Sequence, residues 1–115
     1  MARHYAQGDV VFVPILALPD IPMQAVPPVG ERLIFAYGGV TGHHHSTPHR
    51  PGVALLEPVT PTPAGHRYLT IEALIGEVAV EHQEHRPVVL PPGRYEVRRQ
   101  REATDNDEGW VNVRD

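Results

Sequence analysis

Cysteine and lysine are absent from this 115-residue chain, and serine and tryptophan occur once each. Without cysteine there is no disulfide scaffold, no thiolate zinc site and no cysteine nucleophile. Ser46 stands outside any G-x-S-x-G setting, which argues against a serine hydrolase. No G-x-G-x-x-G and no phosphate loop is present. All ten basic residues are arginine, set against 14 acidic ones for a net charge of −4. A duplex-DNA binder normally shows the opposite balance, so no DNA partner is expected. Long apolar runs are also missing. The stretch at 10–18 is broken by Pro14 and falls far short of the ~20 residues that span a bilayer. The first residues lack the apolar core of a secretory signal, so a cytoplasmic location without membrane contact is expected.

What the chain does have is proline, glycine and histidine. Thirteen prolines and ten glycines are spaced so that no helix-length window stays clean. Between these breakers lie runs of 4–8 residues rich in Val, Ile, Leu, Tyr and Phe. They predict strands at 9–13, 32–37, 40–45, 53–57, 67–73, 77–82, 87–90, 94–100 and 109–113, with at most a helical turn or two in 103–108. Such a count points to an all-β fold, a single domain over 1–115 built as a small barrel or a jelly-roll-like sandwich. Residues 14–30, with five prolines, are expected to run extended over the surface and cover an edge strand. Residues 47–52 and 58–65 are read as loops. Pro91-Pro92-Gly93 is read as a type II turn, because glycine accepts a positive φ.

Eight histidines are the most unusual entry, and four of them fall between His43 and His49. His43 and His45 form an H-x-H pair, which a strand places on one face with Cβ atoms ~6–7 Å apart. His44 then faces the other way. A second pair, His82 and His85, follows the alternating Val78 and Val80. His85 joins His82 on one ion only if the chain turns or bulges, and Arg86-Pro87 supplies a reason for it to do so. Four imidazoles suit a divalent transition metal, zinc first, with iron, nickel, copper and manganese as alternatives. Three ligands and an open position make a catalytic ion, whereas four closed ligands make a structural one. Glu84 is the candidate catalytic residue, as general base or proton shuttle, or else an added ligand. His4, His49 and His66 lack such pairing and are read as surface residues.

An H-x-H followed by a later P-x-G turn is similar to the cupin pattern and implies a cupin-like barrel. The likeness is partial: where cupins carry a glutamate after H-x-H this chain has His49 and Arg50, and Arg94-Tyr95-Glu96 follows the turn in place of a histidine. A fuller resemblance is to an uncharacterised group of small bacterial proteins. Its pattern is G-D-V, T-G-H-x-H, H-x-E-H-x-P, L-P-x-G-x-Y-x-V-x-R-Q-R-E and a terminal G-W. Here these are Gly8 to Val10, Thr41 to His45, His82 to Pro87, Leu90 to Glu102, and Gly109-Trp110. That resemblance implies His43, His45, His82 and His85 as the group's histidines and supplies no activity.

Arg94, Arg98, Arg99 and Arg101 suit bidentate contact with an anion, but pairing with nearby carboxylates is the simpler reading. A core-facing Arg99 would need such a carboxylate. Trp110 reads as the apolar side of a last strand or a subunit contact. The functional expectation is a small metalloenzyme performing hydration, hydrolysis or lyase chemistry on a small polar substrate, Glu84 assisting. The alternative is a non-catalytic binding or assembly protein with a structural ion. A chain this small gains burial by association, so a homo-oligomer is expected, with ligands supplied by one chain or two.

Overall fold

The computed structural model describes residues 3–38 and 42–100. It contains ten strands: β1 (Tyr5–Gln7), β2 (Val10–Ile15), β3 (Met23–Ala25), β4 (Arg32–Tyr37), β5 (His44–Pro48), β6 (Val53–Pro58), β7 (Arg67–Ile71), β8 (Val78–Val80), β9 (Val88–Leu90) and β10 (Gly93–Arg99). One 3-10 turn at Ala73–Ile75 is the helical content of the described residues. The all-β expectation holds. None of the described helices is long and apolar enough to cross a membrane.

Six strands form an antiparallel sheet in the order β1-β2-β10-β7-β6-β3. Its inner face follows from the alternation in the sequence: Val97 lies opposite Phe12, Tyr95 opposite Leu69, and Val53 opposite Ile71. Two ribbons, β4–β5 and β8–β9, complete the described architecture. A single bridge links them, with Ser46 N–H donating to Glu81 O at 3.0 Å and Glu81 N–H to Ser46 O at 2.7 Å. One apolar cluster is shared by all three sheets, with Phe12, Leu55 and Leu69 meeting Leu33, Phe35, Val80 and Leu90. Phe12 and Phe35 pack edge to face at 5.1 Å, an arrangement aromatic quadrupoles favour.

Several expectations need correction. The terminal strands β1 and β3 of the large sheet do not pair with each other, so no barrel closes. β1 and β3 are three-residue strands below the length at which alternation is visible. β3 pairs with β6, which gives 14–30 its expected extended run against a sheet edge. Residues 40 and 41 of the strand expected at 40–45 lie outside the described residues. The strand is found at His44–Pro48, sharing only His44 and His45 with the expected bounds and running into Thr47-Pro48, read as part of a turn. That segment has no apolar alternation, and pairing with β4 and the bridge to Glu81 hold it extended. Pro91-Pro92-Gly93 closes no hairpin, because β9 pairs with β8 while β10 pairs with β2 and β7. Gly93 adopts φ 148°, away from the about +80° of a type II turn. The expected strand at 109–113, the turn at 103–108 and Trp110 lie outside the described residues.

Candidate metal centre

Three short segments meet where β1, β5 and β8 adjoin. The first is the two-residue loop Gly8-Asp9 that joins β1 to β2, Gly8 taking the positive φ of 58° that such loops require. The second is the start of β5, with His43 just before it and His45 within it. The third is the turn after β8, which carries His82 and His85. The Ser46–Glu81 bridge sets the alignment, since the residues beside it are His45 on one strand and His82 on the other. A bulge at Phe35, between the Ile34–Ser46 and Ala36–His45 pairs, resets the partner strand at the same step.

All four paired histidines come together. Ring centroids are 4.4 Å apart for His45 and His82, 4.6 Å for His82 and His85, 5.4 Å for His43 and His82, and 5.8 Å for His45 and His85. The chain does turn after His82, whose Nδ1 accepts the backbone N–H of Glu84 at 3.0 Å and of His85 at 3.3 Å. A neutral His82 ring therefore carries its proton on Nε2. His43 and His85 are half-buried, and His43 Nδ1 and His85 Nε2 are covered from solvent without a hydrogen-bond partner, which is costly for a ring nitrogen. Even so, no three His, Asp or Glu side chains among the described residues already converge as a ligand set. The rings are gathered by packing, and their nitrogens do not yet aim at one point.

His45 is fully buried, and its tautomer is fixed from outside the cluster. Gln7 donates both amide protons to backbone carbonyls, to Val80 O at 2.9 Å and to Arg86 O at 2.8 Å. Its Oε1 can then only accept, and it lies 2.9 Å from His45 Nδ1. The His45 proton therefore sits on Nδ1, leaving Nε2 with its lone pair in the neutral ring. Gln7 also ties β1 to both ends of the segment bearing His82 and His85. Sequence reasoning missed Gln7 and Asp9. The available signal was the Gly8-Asp9 hairpin dipeptide, which announces a tight loop and says nothing of what the loop packs against.

The other expected residues are placed as follows. Glu84 is exposed on the turn between His82 and His85. The His44 ring lies away from the cluster, edge-on to Tyr37 at 6.5 Å, while its backbone N–H donates to Gln83 Oε1 at 2.8 Å. His4 and His49 are exposed, but His66, read as a surface residue, is half-buried with Nδ1 3.1 Å from Glu96 Oε2. Arg98 pairs with Glu96 at 2.5 Å. Burial raises the Glu96 carboxyl, but the Arg98 hydrogen bond and the His66 charge outweigh it and leave it below its ordinary range. Arg99 is exposed and not core-facing, so the condition under which it would need a carboxylate is not met. Its Nε nonetheless lies 2.6 Å from Asp9 Oδ2, and its Nη2 donates to Tyr37 O at 2.7 Å.

A cleft of about 320 Å³ opens beside this pair, lined among others by Ile34, Tyr37, Arg67, Arg98 and Arg99. Arg67 donates to the carbonyl of Phe35 at the bulge. Burial lowers its guanidinium below the ordinary value, Glu57 raises it and the charge of Arg99 lowers it again. Residues 6–100 match the model of a protein family described as a domain of unknown function, DUF8820. The chain belongs to this family. The matched segment holds all four paired histidines together with Gln7, Asp9 and Arg99. No curated protein matches the chain. No solved structure matches it either.

Proposed function

We propose that this family member binds one divalent transition metal ion, zinc foremost, at the histidine cluster. The reading rests on one observation: four imidazoles from two distant segments are gathered around the buried His45, the other three half-buried, and His43 and His85 each keep a buried nitrogen without a partner. His43, His45 through Nε2, and His85 are the first three donors. His82 is either the fourth or, with its Nδ1 occupied by backbone N–H groups, a neighbour that donates from Nε2.

An ion held by three imidazoles would lower the pKa of a bound water to about 7, which suits hydration, hydrolysis or lyase chemistry on a small polar substrate. The arginine-lined cleft is within the size range of small-ligand sites, although none of the four histidines lines it. Its cationic wall favours an anionic substrate, and Arg99 links that wall to Asp9 beside His45. Glu84, exposed on the turn between His82 and His85, is suited to carry protons to solvent. The second reading is a non-catalytic binding or assembly protein with a structural ion, within one chain or between chains of a homo-oligomer. The position of the His82 ring against the other three favours it, because it makes a closed four-imidazole set available.

Elemental analysis of untagged protein, with His43→Ala and His85→Ala alongside, tests the shared premise. About one ion per chain is expected in the wild type and less than about a tenth of that in each variant. An ion-free wild type after zinc loading and dialysis, or full occupancy in both variants, would overturn it.

A further inference from the structure

We infer that the arginine-lined cleft binds a small monocarboxylate with a compact apolar body, and that Arg67 is the residue that takes its carboxylate. The inference rests on the reading of this cleft as a small-ligand site, names the ligand class, and does not depend on the ion. Arg67 stands where a charge is out of place. On β7 it shares the inward side with the buried Leu69 and Ile71, and it lies opposite Val97 of β10. A guanidinium thus ends the row of core-facing side chains, half-buried at the point where the cleft opens. A charge withdrawn from water is costly unless a counter-charge accompanies it.

The neighbouring arginines have one. Arg98 pairs with Glu96 and Arg99 with Asp9. The Arg67 side chain donates instead to the neutral carbonyl of Phe35, and among the described residues no carboxylate pairs with it. Burial lowers its guanidinium below the ordinary value, Glu57 opposing and the charge of Arg99 reinforcing, so an anion at this point would offset both penalties. A guanidinium has five N–H donors in a planar fork that matches a single carboxylate, and the Phe35 carbonyl leaves most of them to spare. The remaining walls decide the body of the ligand. Val10, Ile34, Phe35 and Val97 are apolar, and Tyr37 adds an exposed ring. The hydroxyls of a sugar or nucleoside would go unmatched against them. About 320 Å³ lies at the lower end of ligand cavities, which suits a short branched or aromatic acid.

Benzoate titrated into the metal-free, EDTA-treated chain and followed by 1H–15N chemical shifts tests the inference. Saturable binding is expected, with shifts centred on 34–37, 65–67 and 97–99. Benzamide and inorganic phosphate should each bind at least about 10-fold more weakly, and Arg67→Gln should weaken benzoate about 10-fold or more. Should Arg67→Gln fail to melt cooperatively, Arg67→Lys replaces it: the charge stays, the planar fork is lost, and benzoate should again bind more weakly. No saturable binding, shifts centred elsewhere, equal binding of benzamide or phosphate, or unchanged affinity in the Arg67 variant would each overturn the inference. A chain that binds benzoate in this way but no zinc overturns the metal reading alone. One that binds zinc but no benzoate overturns this inference alone.

Discussion

The inner face of the large sheet buries Phe12, Leu55, Leu69 and Val97, whereas every fully buried polar side chain among the described residues comes from 7–9 and 45–47. These are Gln7, Asp9, His45, Ser46 and Thr47, all at the seam where β1, β5 and β8 meet. The two regions are held by different physics. Apolar burial is non-directional and scales with area, so it accepts many sequences of similar volume. The seam needs a partner for each buried polar atom, and its partners arrive in matched sets: Thr47 Oγ1 on Ala79 O at 2.7 Å, and Gln7 on Val80 O, Arg86 O and His45. The seam therefore specifies one arrangement of its three segments, whereas the core specifies mainly volume.

Core truncation sets the scale for this comparison. Leu69→Ala, at a fully buried position, is expected to cost about 3 kcal/mol in urea unfolding with the metal-free protein. Zinc affinity of the folded fraction should be unchanged by it. Gln7→Leu keeps the volume but strips two carbonyls and the His45 Nδ1–H of their partner. A loss of about 2 kcal/mol is expected, together with at least about 10-fold weaker zinc binding, measured by competition with a chromophoric chelator. A Gln7→Leu protein as stable and as metal-competent as wild type would remove the distinction between the two regions.

The smallest effect concerns the single hydrogen bond of a core aromatic. Tyr95 donates to Pro91 O at 2.5 Å, and Tyr95→Phe should cost about 1 kcal/mol near neutrality. Burial, with a smaller contribution from Tyr5, pushes the Tyr95 phenol up to about 12. The folded state therefore holds that proton more tightly than the unfolded chain, where the group titrates near about 10. Its stabilisation is whole below the unfolded value and disappears as pH rises through the folded one. Alkaline unfolding midpoints should thus fall between these limits in the wild type and flatten in Tyr95→Phe. Parallel pH curves for the two proteins would remove Tyr95 as the cause.

Much of the strand pattern was legible because period-2 alternation is a local property. Residues 10–15, 32–37, 53–58, 67–71 and 93–99 carry it, and each is found as a strand within a few residues of its expected bounds. β5 was displaced because His44 to Pro48 contains no apolar alternation at all, so only its neighbours hold it extended. At the candidate site, the two histidine pairs stood out by spacing, and the turn after His82 was anticipated from Arg86-Pro87. Gln7 and Asp9 drew no site role, although Asp9 stands in the G-D-V element, since a glutamine and an aspartate flanking a glycine are ordinary hairpin residues.

By itself, then, the sequence determined the class of the fold and the chemistry on offer. Breaker spacing and alternation specify strands, and the lack of cysteine leaves imidazole and carboxylate as the donors. Tertiary structure alone decided which donors meet and in what state. The Ser46–Glu81 bridge brings His45 beside His82 across about 35 intervening residues, and the β1–β2 loop lays Asp9 against His45 from the other end of the chain. Local periodicity carries no information about such long-range register. The proton on His45 was settled later still, by an amide whose own two protons were already committed to the backbone of a third segment.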